Sequence, residues 1–135
     1  MTAVVREGES GLTTMLADLL QQNLVREPPR ARLLRNCIAT LQATDAGVAT
    51  TLRMGSGRVL VADGAAARAH LRVRGSAERL LALAAAPLRI GLPDPMRAEG
   101  RAVLRDVVRG LLRIEGLLTH PLRALRLMRL LSAGP

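Results

Sequence analysis

Residues 37–61 read CIATLQATDAGVATTLRMGSGRVLV, and the apolar positions in this stretch recur every second residue. Ala39, Leu41 and Ala43 alternate with Thr40 and Gln42. After Asp45-Ala46-Gly47, the residues Val48, Leu52 and Met54 alternate with Ala49, Thr51 and Arg53. Beyond Gly55-Ser56-Gly57, Val59 and Val61 face in. A period of two marks extended chain with one face buried, and the Gly-rich intervals read as turns. Asp63-Gly64 turns the chain again, after which Leu71 and Val73 point one way and His70, Arg72 and Arg74 the other. The expectation is a run of four strands with one apolar face and one wet, basic face.

On the N-terminal side, Leu12, Met15, Leu16, Leu19 and Leu20 follow the spacing of an amphipathic helix, which should end near Glu27 because Pro28 and Pro29 cannot continue it. Pro29 can open a second short helix through Leu33, Leu34 and Asn36. Residues 1–10 are polar and are expected to be a flexible N-terminus, leaving 11–135 as a single domain. On the C-terminal side, Ser76 is a good cap for a helix carrying Leu80, Leu81, Leu83 and Ala84, stopped by Pro87. Gly91-Leu92-Pro93 reads as a loop. Asp94-Pro95 reads as the start of a helix with Met96, Val103, Leu104, Val107 and Val108 inward, closed by Gly110. Leu112 and Ile114 alternate with Arg113 and Glu115 as a short fifth strand. Residues 117–131 should form a last helix, with Thr119 near His120-Pro121 as its cap.

A chain of 135 residues fits one domain with a substantial core. Hydrophobic residues make up 49% and there is no aromatic residue, so Leu, Val, Ala, Ile and Met must fill the interior. All twenty cations are Arg, and the net charge is +9. High-GC codon usage explains such a bias, and so does an anionic partner. Nucleic acid is a poor candidate, since no aromatic side chain can stack on a base. A single cysteine, Cys37, excludes an intramolecular disulfide and fits a reducing compartment. No signal-peptide pattern opens the chain, and Arg123, Arg126 and Arg129 interrupt the Leu-rich segment 117–131, so the expected location is cytoplasmic.

Several stretches resemble the sterol-carrier-protein-2 (SCP2) domain family. Asp45-Ala46-Gly47-Val48 leads into Thr51-Leu52-Arg53-Met54, and Gly57-Arg58-Val59-Leu60-Val61 follows. Leu71-Arg72-Val73-Arg74-Gly75-Ser76 precedes a Leu-rich helix, and Gly110-Leu111-Leu112-Arg113-Ile114-Glu115-Gly116 is similar to the family's late Gly-strand-Gly element. The likeness runs from about Leu12 to Ser132. It implies an α+β domain: a curved sheet of about five mostly antiparallel strands, with helices on one face enclosing an apolar cavity. It also implies non-enzymatic binding and transfer of a sterol, fatty acyl or isoprenoid lipid through an apolar tunnel. The segment from Pro87 to Arg109 is longer than in short members, and the aromatic residues that often line the tunnel are missing here.

The ligand would then lie between the sheet face of Leu52, Met54, Val59, Val61, Leu71, Val73 and Ile114 and helices carrying Leu16, Leu20, Leu83, Leu104 and Met128. Two further readings stand beside lipid transfer: an accessory factor presenting a lipid or quinone-type isoprenoid intermediate to biosynthetic enzymes, and an interaction protein whose sheet face is filled core. The acidic residues are scattered, with no pair suited to general acid/base work. His70 and His120 read as a solvated residue and a helix-start residue, and neither has a partner at metal-ligand spacing. Cys37 reads as a buried thiol, and no metal or cofactor is called for. Arg97, Arg101, Arg105 and Arg109 fall four apart along one helix. On the last helix the apolar face is read as Leu118, Ala124, Leu125, Met128 and Leu131, which leaves Leu122 and Leu130 among Arg123, Arg126 and Arg129. Those five are the candidate contacts with an anionic membrane surface.

Overall fold

A computed structural model describes residues 4–85, 88–89, 92–93, 98–116 and 119–131. In chain order these form β1 (Val4–Glu7), α1 (Gly11–Arg26), a 3-10 helix (Pro28–Leu33), β2 (Cys37–Ala43), β3 (Val48–Gly55), β4 (Arg58–Asp63) and β5 (Leu71–Gly75). There follow α2 (Ala77–Ala85), the two-residue strands β6 (Leu88–Arg89) and β7 (Leu92–Pro93), α3 (Ala98–Val108), β8 (Arg113–Glu115) and α4 (Pro121–Leu131). The fold is α+β. Its main sheet has the order β1-β4-β3-β2-β5-β8. β2–β3, β3–β4 and β5–β8 are antiparallel, while β1–β4 and β2–β5 are parallel.

The alternation in residues 37–61 sets the register. Cys37 faces Met54, Ala39 faces Leu52, Leu52 faces Val61, and Met54 faces Val59, so these side chains share one face. Gly55 pairs with Arg58, leaving Ser56 and Gly57 as a two-residue turn with φ of 53° and 75°. Positive φ at both positions is the turn whose twist matches paired strands, and glycine adopts it without a Cβ clash. After β4 the chain crosses the opposite face to reach β5. On that face Thr40 and Thr51 are buried and their hydroxyls lie 3.0 Å apart. The Thr51 hydroxyl also donates to the Gly64 carbonyl at 2.7 Å, and the Ala66 N–H donates to the Thr40 hydroxyl at 3.3 Å. The face expected to be wet is therefore roofed in part by residues 64–67, which Arg72 holds by donating to the Ala66 and Ala67 carbonyls.

Helices cover the apolar face. The Ser10 hydroxyl caps α1 by accepting from the Thr13 N–H at 3.1 Å, and Pro28 lies just past its end. Leu12, Leu16 and Leu20 are buried against the sheet. The Ser76 hydroxyl caps α2 through the Arg79 N–H at 3.2 Å.

The structure corrects several expectations. The main sheet has six strands instead of five because residues 4–7, expected in a flexible N-terminus, form β1 and pair with Val59 to Ala62. What holds β1 is distant in sequence: the Asp63 carboxylate accepts from the Glu9 and Ser10 N–H groups and from the Thr13 hydroxyl. Leu92 and Pro93, read as loop, pair with Leu88 and Arg89. Val108, expected inward, is 86% exposed, whereas Val103 and Val107 pack against the core. Helix α4 begins at Pro121; the His120 carbonyl accepts its first hydrogen bond, from Ala124, and the Thr119 hydroxyl donates to Gly116 instead of capping. Asp94, Pro95, Met96, Arg97, Leu118, the stop at Pro87 and the loop residue Gly91 lie outside the described residues.

Candidate functional site

Among the described residues an open apolar groove of about 310 Å³ lies at the start of α1 against Ala43, Ala46, Val48 and Ala77, and a smaller apolar hollow sits where β5, β8, α2 and α4 meet, lined by Leu71, Val73, Leu83, Ile114, Ala124, Leu127, Met128 and Leu131. Five of these, Leu71, Val73, Leu83, Ile114 and Met128, are residues expected to hold lipid. The elements bring them together simply. Leu71 and Val73 are the inward positions of β5, Val73 pairs with Ile114 of β8, and α2 and α4 lay their apolar sides over them. The other expected residues lie elsewhere. Leu16, Leu20, Leu52, Met54, Val59 and Val61 are in the core with α1, and Leu104 is half-buried on α3. Ala124, Leu127 and Leu131 complete the lining.

The hollow encloses about 10 Å³, room for about one water. This hollow by itself is far narrower than the tunnel expected from sequence. The sheet–helix interface is packed by Leu and Val, with Met128 as the one unbranched, adaptable side chain among them. Two interactions hold α4 down. The buried Asn23 amide of α1 donates to the Leu130 carbonyl at 2.8 Å. Arg123 donates from Nε to the Asn36 carbonyl at 3.1 Å and from Nη1 to His120 Nδ1 at 3.1 Å.

These contacts revise the expected membrane face of α4. Leu130 is 1% exposed and belongs to the core, whereas Leu122 is 65% exposed. The buried side runs through Ala124, Leu127, Leu130 and Leu131. That is about a quarter turn from the side read off the sequence, because Leu or Met occupies nearly every position that Arg does not. Arg123 is half-buried and engaged with Asn36 and His120. Leu122 and Arg129 are exposed, and Arg126 is half-buried like Arg123.

Beside the hollow, on the far side of the β5–β8 edge, lies a polar groove of about 220 Å³ lined by Ala69, His70, Arg72, Glu115, Gly116, Thr119 and His120. His70 is not simply solvated: its Nδ1 accepts from the Ile38 N–H at 2.9 Å, and its ring meets His120 edge-to-face at 5.2 Å. Burial, then the nearby Arg123 and His120, lowers the His70 pKa from 6.5. Gly116 makes this approach possible, since a Cβ there would fall 2.1 Å from the His70 carbonyl oxygen. Nothing in the sequence pairs two histidines fifty positions apart; only the β5–β8 ladder does. Burial raises the pKa of the Cys37 thiol against the opposing pull of Arg123 and Arg126, which keeps the thiol protonated. Among the described residues no group of three or more His, Cys, Asp and Glu could hold a metal, and no helix is long and apolar enough to cross a membrane.

No protein-family model and no curated protein matches the chain. Among solved structures it is similar to one described as UbiJ-SCP2, a ubiquinone synthesis protein, with a TM-score of 0.61 and 19% identity over 89% of this chain and 92% of that one. It is also similar to a crystal structure of sterol carrier protein 2, with a TM-score of 0.52 and 16% identity over 87% and 91% of the two chains. Six strands in one mixed sheet with helices on its apolar face, matched over almost the whole of both chains, make this the sterol-carrier-protein-2 fold.

Proposed function

We propose that the domain binds a long-chain apolar lipid between β5, β8, α2 and α4 and carries or presents it without catalysis. The observation that supports this most is the position of the apolar hollow between the sheet and α4, in a fold shared with a sterol carrier protein. A hollow for one water cannot hold a lipid chain, since ligand pockets span roughly 300–1,000 Å³. Binding therefore requires α4 to lift from β5 and β8, with Met128 moving aside. Burying roughly 400 Å² of ligand would contribute about 10 kcal/mol before association costs, enough to offset such an opening.

The greater likeness to the ubiquinone synthesis protein favours a more specific version, in which the lipid is an isoprenoid quinone precursor presented to a biosynthetic enzyme. The protein would work in the cytoplasm at the inner face of a membrane, with Leu122 and Arg129 of α4 and Arg105, Val108 and Arg109 of α3 as the exposed residues that meet anionic lipid, and the half-buried Arg126 beside them. Gentle purification followed by solvent extraction and mass spectrometry tests the lipid reading. A lipid species recovered near one per protein is the expected result. Protein that carries no lipid, and takes up none on addition, would mark the sheet face as the filled core of an interaction protein.

A further inference from the structure

The polar groove and the apolar hollow are built from neighbouring residues of the same elements. Leu71 of β5 lines the hollow while Arg72 of β5 and His70 just before it line the groove. At β8, Ile114 lines the hollow while Glu115 and Gly116 line the groove. Ala124 of α4 lines the hollow, and His120, just before the helix begins, lines the groove. A second shallow groove of about 330 Å³ continues past Thr119 and His120 to Leu122, Arg123 and Arg126. A molecule bound here would meet oil on one side of the β5–β8 edge and a cluster of imidazoles and guanidinium groups on the other.

The hydrogen bonds fix what that cluster offers. His70 Nδ1 accepts from the Ile38 N–H, so in the neutral ring the proton sits on Nε2. Arg123 can only donate, so His120 Nδ1 accepts from it and that ring too carries its proton on Nε2. Among the described residues neither Nε2 has a hydrogen-bond partner. Arg123 adds a full positive charge, and the Glu115 carboxylate is drawn toward Arg74 at 3.5 Å. Two imidazole N–H donors without partners beside the Arg123 guanidinium suit an oxygen-rich, negatively charged group, with the one carboxylate of the groove, Glu115, turned to Arg74.

We propose that this groove receives the oxyanion head, carboxylate or phosphate, of an amphipathic lipid whose chain enters the hollow under α4. The inference rests on the lipid reading above and narrows it to acidic lipids, disfavouring neutral sterols.

The test uses the full chain and dansylaminoundecanoic acid beside its methyl ester, titrated below micelle-forming concentrations at a pH where the acid is ionised. The parent should bind the acid about tenfold more tightly than the ester, the scale of one charge-assisted hydrogen bond. Hexadecyl phosphate should displace the acid and inorganic phosphate alone should not, which separates a lipid head from a free anion. His70→Asn and His120→Asn keep an acceptor near the Nδ1 position but remove the Nε2 donor. Each should weaken the acid several-fold and leave the ester unchanged. Equal affinity of the parent for acid and ester would overturn the inference while leaving lipid binding intact. So would variants that weaken both ligands alike, as a merely structural role would. Failure of both ligands to bind the parent would remove the lipid reading itself, and this inference with it.

Discussion

At the scale of single residues, two leucines on α4 have opposite fates that the sequence does not separate. Leu130 is buried beneath the helix and its carbonyl accepts from Asn23, while Leu122 stands in solvent. Leu130→Ala should cost about 2–5 kcal/mol in urea unfolding, and Leu122→Ala should stay within about 0.5 kcal/mol. Asp63 makes a different kind of prediction. Its hydrogen bonds from the Thr13 hydroxyl, then those involving Ser10 and Glu9, lower its pKa below 3.8. A carboxylate with a depressed folded-state pKa stabilises the fold above its unfolded value, and that stability is lost as pH falls through the folded value. Asp63→Asn should therefore lower Tm at neutral pH, and the gap from the parent should narrow in thermal melts taken progressively below pH 3.8.

At the scale of elements, α4 is the part that must move if lipid enters, and it is tied at one end by Arg123 and at the other by Asn23. Met128→Trp would place a large ring where the hollow has space for about one water. Overpacking should cost about 1–3 kcal/mol in chemical denaturation and suppress lipid uptake. If the variant were as stable as the parent and bound lipid equally well, the hollow would not be the entry site. Elements with one dominant buried face were legible from sequence. The alternation over residues 37–61 led to β2, β3 and β4, and the Ser76 cap led to α2. Two others were not. β1 has no alternating pattern in Val4-Val5-Arg6-Glu7, and its place depends on pairing with β4 and on the Asp63 clamp, both remote in sequence. The buried side of α4 was ambiguous because leucine surrounds the helix, and only its packing on α1 and the sheet selects Leu127 and Leu130. The lining of the hollow was legible for the same reason in part: β5, β8 and α2 supplied Leu71, Val73, Ile114 and Leu83, readable by period, and of the α4 residues Ala124, Met128 and Leu131 fell on the side read as apolar while Leu127 did not.

At the scale of the whole molecule, the net charge of +9 and the exposed Leu122 and Val108 are what the proposed docking on anionic bilayers would use. Co-sedimentation with anionic vesicles should fall as salt rises, because ions screen the arginines. Replacing Arg126 and Arg129 with Gln should weaken binding at low salt and flatten that dependence. Equal partition onto neutral vesicles would leave the arginine bias without a membrane role. Deeper in the molecule, the proposed function has a chain with the sterol-carrier-protein-2 fold open the narrow hollow under α4 to a lipid. The direct measurement is an equilibrium titration of delipidated protein with a fluorescent long-chain lipid below its micelle-forming concentration. A saturable signal with one lipid per protein and competition by unlabelled lipid is the expected result; a signal that rises linearly without saturation, or none, would rule out a lipid site in this fold.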